Sequence, residues 1–253
     1  MRWTERQQAM LQAMGIRLFE PATPQRDRSP PAESSPTPPP PAPAARPASQ
    51  PDAPHRPDVA TLDWAALREA VASCRACKLC ESRQQTVFGV GHPQAQWMIV
   101  GEAPGEQEDR QGEPFVGPAG QLLDNMLRAI GLTRGEAGPA RQVFIANTLK
   151  CRPPKNRNPE PAETAQCAPF LERQIALVRP RIILAMGRFA AQALLASDEP
   201  LGRLRGRVHQ YRGVPVVVTY HPAYLLRTPT DKARAWEDLC LAASVVAAAA
   251  EAT

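Results

Sequence analysis

The chain has 253 residues, 29 of them proline, a formal net charge of +5 and a pI near 9.1. It has no run of about 18 apolar residues and no signal-peptide core at its start, which argues against a membrane span or export and places the protein in the cytoplasm. In that reducing compartment six cysteines point to a metal site or inert packing rather than disulfides, and the basic balance favours a polyanionic partner.

Residues 1–20 carry Trp3, Met10, Leu11, Met14, Ile16 and Leu18 at loosely helical spacing, a short N-terminal segment that could hold a partner peptide. Residues 21–59 read as a Pro-rich disordered linker. Pro21 to Pro57 holds 14 prolines and no Leu, Ile, Val, Phe, Tyr or Trp, so it cannot bury a core. Residues 60–253 have globular patterning. Leu62, Leu67 and Val71 mark a helix starting near Thr61 or Asp63, which leads into Cys74, Cys77 and Cys80.

Four apolar runs follow, Trp97–Val100, Val143–Ala146, Ile182–Ala185 and Val214–Val218, each a candidate strand. Helical patterns over 119–130, 164–178 and from Gly187 through Leu195 separate or follow them, and Trp236–Ala250 reads as a closing helix. Strands alternating with helices predict an α/β fold, a three-layer α/β/α sandwich around a central four-stranded parallel sheet.

In such a sheet the ligand crevice lies beyond the carboxyl ends of the strands. The first apolar run ends in Gly101-Glu-Ala-Pro-Gly105, so Glu102, Glu106, Glu108 and Asp109 are expected to face one pocket across from Phe115. Acids opposite a lone aromatic suggest recognition of a flat ring. Asn147 ends the second strand, where its amide can offer a donor and an acceptor to a ring edge. His221 follows the fourth strand and shares the crevice; a lone histidine is more often structural, and its position argues otherwise.

Cys74 and Cys77 form a C-x2-C pair, and Cys151 and Cys167 flank Pro-Pro-Lys-Asn-Arg-Asn-Pro. From spacing alone they could close on tetrahedral zinc or on a 4Fe-4S cluster. Cys80 complicates the count, and Cys240 reads as a small buried residue of the last helix. Lys150, Arg152, Lys155 and Arg157 beside these cysteines suggest a basic loop for a phosphate backbone. Arginines also crowd the second half, with no carboxylate between Arg203 and Arg227.

Four motifs taken together, Gly101-Glu-Ala-Pro-Gly-Glu-Gln-Glu-Asp109, Pro114-Phe-Val-Gly-Pro-Ala-Gly-Gln-Leu-Leu123, Asn147-Thr-Leu-Lys-Cys-Arg-Pro-Pro-Lys-Asn-Arg157 and His221-Pro-Ala-Tyr-Leu-Leu-Arg227, resemble in order and spacing the family 4 uracil-DNA glycosylases. The resemblance covers about residues 70 to 245. It implies the glycosylase fold, excision of uracil from DNA to leave an abasic site in base excision repair, and a 4Fe-4S cluster on Cys74, Cys77, Cys151 and Cys167, with Cys80 outside the ligand set. It further implies catalytic roles for Glu102 and His221, and contact of Ala103, Glu108, Phe115 and Asn147 with the base. Tyr224, Leu225, Leu226 and Arg227 are then expected at the DNA, with one leucine as a wedge and Arg227 on a phosphate.

Two rival readings fit the residues less well, and a third, a dinucleotide enzyme, lacks the G-x-G-x-x-G required after the first strand. A related iron-sulfur branch traps uracil-DNA covalently, but it has Gln where Ala103 stands, and a histidine after the second strand where this chain has none between Asn147 and Cys167. The other is a non-catalytic, clamp-associated DNA-binding factor, which an intact set of Glu102, Phe115, Asn147 and His221 disfavours. Gly15-Ile-Arg-Leu-Phe19 resembles the short peptides with which bacterial repair proteins grip the sliding clamp. The protein is expected to act as a monomer on single- or double-stranded DNA.

Overall fold

A computed structural model describes residues 58–251, so the expected N-terminal segment and Pro-rich linker lie outside the described residues. The first helices are α1 (Trp64–Ala72) and α2 (Leu79–Ser82). Asp63 starts α1 by accepting the Ala66 N–H at 2.8 Å, satisfying a helix-end amide that has no partner within the helix. Strands β1 (Val90–Gly91) and β2 (Trp97–Gly101) follow, then α3 (Glu106–Gln111), α4 (Pro118–Ala129) and β3 (Phe144–Asn147). Next come α5 (Pro161–Val178), β4 (Ile182–Met186), α6 (Arg188–Leu195), α7 (Leu201–Leu204) and β5 (Val208–Tyr211). The chain continues through β6 (Val214–Thr219), α8 (Pro222–Arg227) and α9 (Lys232–Glu251). Proline opens α4, α5 and α8 in their first turns, where its missing N–H costs no helical bond.

The sheet order is β1-β3-β2-β4-β6-β5. The four expected strands form its parallel centre, and their residues alternate between two cores. Met98, Val100, Phe144, Ala146, Ile183 and Ala185 join the core that takes Leu67, Phe170 and Leu194. Trp97, Ile99, Ile145 and Leu184 face the other, with Leu123, Leu127 and Leu239. Among the described residues no helix is long and apolar enough to cross a membrane.

The sheet departs from expectation at its edges, where β1 and β5 add antiparallel strands and make it mixed and six-stranded. β5 returns into β6 through Arg212 and Gly213, both at positive φ (48° and 84°), a two-residue turn whose twist matches a hairpin. Arg-Gly is a weak turn signal, and Val208-His-Gln-Tyr carries only one aliphatic residue. The closing helix starts at Lys232, four residues before the expected Trp236. Cys240 is exposed rather than buried, because Ala235, Leu239 and Ala242 already form the inward stripe and residue 240 falls off it.

Candidate functional site

The carboxyl ends of β2, β3, β4 and β6 lie on one side and open into a cleft of about 870 Å³. Glu102, Phe115, Asn147, Arg188, His221 and Tyr224 are among its lining residues. Gly101 pairs in register with Asn147 across β2 and β3. A Cβ on Gly101 would lie 2.4 Å from Asn147 Oδ1 and 2.6 Å from Phe115 Cζ, so only glycine admits both groups here. Phe115 is 5% exposed and takes a left-handed backbone (φ 56°), a conformation uncommon for an aromatic residue and stabilised by its surroundings. Gly120 in α4 makes room for it, since a Cβ there would lie 1.7 Å from the Phe115 carbonyl oxygen.

His221 precedes α8 and caps it: Nδ1 accepts the Ala223 N–H at 3.1 Å. Its ring stacks on Phe115 with centroids 5.3 Å apart and planes 24° apart. Burial, and secondarily the nearby Arg227 charge, pull its pKa from 6.5 to about 4. The ring is therefore neutral at physiological pH, and because Nδ1 is an acceptor the proton resides on Nε2.

The four acids separate. Glu102 is half-buried in the cleft; burial raises its carboxyl pKa above 4.5, opposed by the Arg188 guanidinium. Glu108 also reaches the cleft, but its carboxylate is occupied, accepting the Gly105 N–H and the Val116 N–H at 3.1 Å each. It ties the Gly101–Gly105 turn to the Phe115 segment. Contrary to expectation, Glu106 pairs with Arg110 and Arg152 outside the cleft. Asp109 is buried away from it, accepting the Gln84 and Gln85 amides. The 3.6-residue period of α3 turns 106 and 109 off the face that presents 108.

Ala103 lines the cleft beside Glu102, and Tyr224 and Arg227 line it from α8. Tyr224 is fixed by its hydroxyl, which donates to Asp231 at 2.6 Å, and by stacking on Tyr220. Leu225 and Leu226 part company: Leu225 is 1% exposed and packs towards Trp236 and Leu239, whereas Leu226 is 44% exposed. Sequence reasoning overlooked Arg188 and Tyr220. Their signal was position, each lying one or two residues past the end of a parallel strand.

Cys74, Cys77, Cys80, Cys151 and Cys167 line a second, small cavity. Arg83 donates to Cys151 Sγ at 3.0 Å, and the Lys150 N–H donates to Cys167 Sγ at 3.3 Å. Burial pushes the Cys167 thiol up to about 12, against the pull of Lys150. Among the described residues no group of three or more His, Cys, Asp or Glu side chains is arranged to hold a single metal ion. The expected basic loop is only partly basic surface. Lys150 is buried, Arg157 grips Glu163 through two bonds of 2.6 and 2.9 Å, and Arg152 bonds Asn156, while Lys155 is exposed.

The family model of the uracil DNA glycosylase superfamily matches residues 88–240. The chain is 44% identical to the type-4 uracil-DNA glycosylase of Sulfurisphaera tokodaii, over 64% of this chain and 76% of that protein. It is 42% identical to that of Pyrobaculum aerophilum, over 71% of this chain and 93% of that protein, and 39% identical to that of Thermotoga maritima, over 66% and 85%. The chain belongs to the type-4 uracil-DNA glycosylase family. The matched segment contains the cleft residues from Glu102 to Arg227, and the antiparallel edge strands belong to the mixed α/β sheet of this fold.

Proposed function

We propose that this protein hydrolyses the N-glycosidic bond of uracil in DNA, leaving an abasic site for repair. The observation that carries the reading is the convergence of the Asn147 amide, the Phe115 ring and a neutral His221 on one cleft, in a chain of this family. Uracil leaves the base stack at a cost of a few kcal/mol, which the pocket returns. Phe115 supplies a flat apolar wall beside Ala103. The Asn147 amide accepts from uracil N3–H and donates to O4, and cytosine presents the opposite pattern. As the C1′–N1 bond breaks, negative charge gathers on uracil O2, and His221 Nε2–H donates to it without a proton having to be acquired first. Glu102 as carboxylate orients the water that adds to C1′, or stabilises the positive sugar. Glu108 acts by holding the loop rather than by touching the reaction.

Tyr224, Leu226 and Arg227 face the DNA in this reading, Leu226 as the wedge and Arg227 on a phosphate. Cys74, Cys77, Cys151 and Cys167 would hold a 4Fe-4S cluster. A shared cavity lined by thiols, met by Arg83 and the Lys150 amide, suits an anionic thiolate-bound centre. When bound, the cluster supplies structural cross-linking between residue 74 and residue 167. The sequence of Gly15–Phe19, outside the described residues, is the basis for proposing a clamp-binding peptide, and the enzyme is proposed to be cytoplasmic and monomeric.

The test is excision from an oligonucleotide with one uracil, scored by alkaline strand cleavage, with the parent beside Asn147→Ala and His221→Ala. Many abasic sites per parent molecule, and failure of both variants with iron content retained, is the expected result. No release, or a stoichiometric denaturation-resistant complex, overturns it in favour of the binding or trapping rival.

A further inference from the structure

Among the described residues Lys150 is the only lysine or arginine that is buried, 1% exposed inside the domain. It does not line the cleft. An ammonium in such a place is costly unless its donors are used, and here two of the three have acceptors. Nζ donates to the Asn147 backbone carbonyl at 2.7 Å and to Gln174 Oε1 at 2.7 Å. Gln174, fully buried, cannot turn its amide, because its Nε2 donates to the Phe88 carbonyl at 2.8 Å. The main chain of Lys150 is committed as well: its N–H points at Cys167 Sγ (3.3 Å) and its carbonyl accepts the Val87 N–H at 2.8 Å.

The partner of that ammonium decides what it does. Asn147 is the last residue of β3; past it the Thr148 and Leu149 amides bond the Gly101 and Glu102 carbonyls, and the Asn147 carbonyl takes the Lys150 ammonium. Holding that carbonyl fixes the rotation of the peptide after Asn147 and so anchors the backbone from which the amide side chain projects. The side chain has little other freedom, since its Oδ1 lies against the Gly101 Cα.

We propose that Lys150 is a positioning residue for base discrimination: its ammonium sets the Asn147 amide, and its place in the chain ties that setting to the cysteine-bearing segment. The inference rests on the reading of Asn147 as the uracil-reading group. A neutral apolar residue of the same length fills the space but leaves the Asn147 carbonyl unpaired, so the amide loses its fixed direction while the fold keeps its packing.

The test uses the full chain and Lys150→Met, Gln174→Met, Asn147→Ala and the Lys150→Met, Asn147→Ala pair. The first readout is anisotropy binding to duplexes carrying 2′-fluoro-2′-deoxyuridine, whose glycosidic bond resists cleavage, against the same duplex carrying thymine. The second is the single-turnover excision rate, with iron content measured on every sample. Lys150→Met is expected to reduce the preference for the uracil analogue about tenfold, leaving affinity for the thymine duplex and iron per chain unchanged. Gln174→Met does the same by a smaller factor. On the Asn147→Ala background the Lys150 effect on rate disappears, which general loosening of the fold would not produce. An unaltered uracil preference in both single variants overturns the inference, as does a Lys150 effect of full size without Asn147. Loss of iron in both variants also overturns it, by assigning Lys150 to the cysteine site instead. A parent that excises nothing removes the underlying reading of the cleft, a result distinct from all of these.

Discussion

The Ala223 N–H donates to His221 Nδ1 at 3.1 Å, which commits the ring to the tautomer with its proton on Nε2, available to the cleft. Burial then keeps the ring neutral down to about pH 4. Nitrogen NMR of labelled His221 should therefore show a protonated Nε2 and an unprotonated Nδ1, with no titration between pH 8 and 5. His221→Ala should lower single-turnover excision by about 10²–10³-fold, the range for loss of one donor to a developing oxyanion. A ring that titrates near 6.5 would remove the neutral-donor argument.

With His221 neutral throughout, the acid limb of excision belongs to Glu102. Its folded pKa is raised by burial, so the carboxylate is lost, and the rate falls, as pH drops through a value above 4.5. Arg188 opposes that shift, and Arg188→Gln should move the limb to still higher pH. Glu102→Gln should flatten it. The pH dependence of single-turnover rates for the three proteins decides this, and an unmoved limb in Arg188→Gln would count against Glu102 as its source.

Gly101 is where the strand, the aromatic and the amide meet. Gly101→Ala places a methyl 2.4 Å from Asn147 Oδ1 and 2.6 Å from Phe115 Cζ, and neither neighbour is a flexible chain end with somewhere to go. Overpacking of this kind costs about 1–3 kcal/mol in stability. The larger expected effect is on chemistry, a fall of roughly 10–100-fold in excision, because misplacement of about 1 Å costs that much. Denaturant unfolding beside single-turnover rates measures both, and an alanine variant of parental activity would show that the contact relaxes freely.

The sequence made the parallel centre of the sheet legible because strands buried on both faces are written as unbroken apolar runs, as in Trp-Met-Ile-Val and Ile-Ile-Leu-Ala-Met. The edges were not, since β1 has two residues and β5 turns on Arg-Gly. The cleft was legible at Glu102, Asn147 and His221, which follow directly from strand ends. Their partners were harder to read. The direction of the Glu108 carboxylate, the removal of Asp109 and Glu106 from the cleft and the burial of Lys150 depend on helix phase and tertiary contacts that residue spacing does not fix.

Leu225 and Leu226 give the sharpest separation between fold and DNA contact, because adjacent positions on one short helix face opposite surroundings. Leu225 is buried beside a small pocket that Met126, Ala235 and Leu239 also line, and its truncation should cost about 2–5 kcal/mol in unfolding free energy, as buried leucines do. Leu226 is exposed beside the cleft, so Leu226→Ala should leave the melting temperature within a degree or two. A wedge fills the gap left by an extruded nucleotide, and that help is needed only where stacking and pairing hold the base in place. Excision by Leu226→Ala should accordingly fall several-fold on duplex substrate and little on single strands. Equal losses on both substrates would assign Leu226 to general strand binding, and no loss on either would place the wedge elsewhere on the rim.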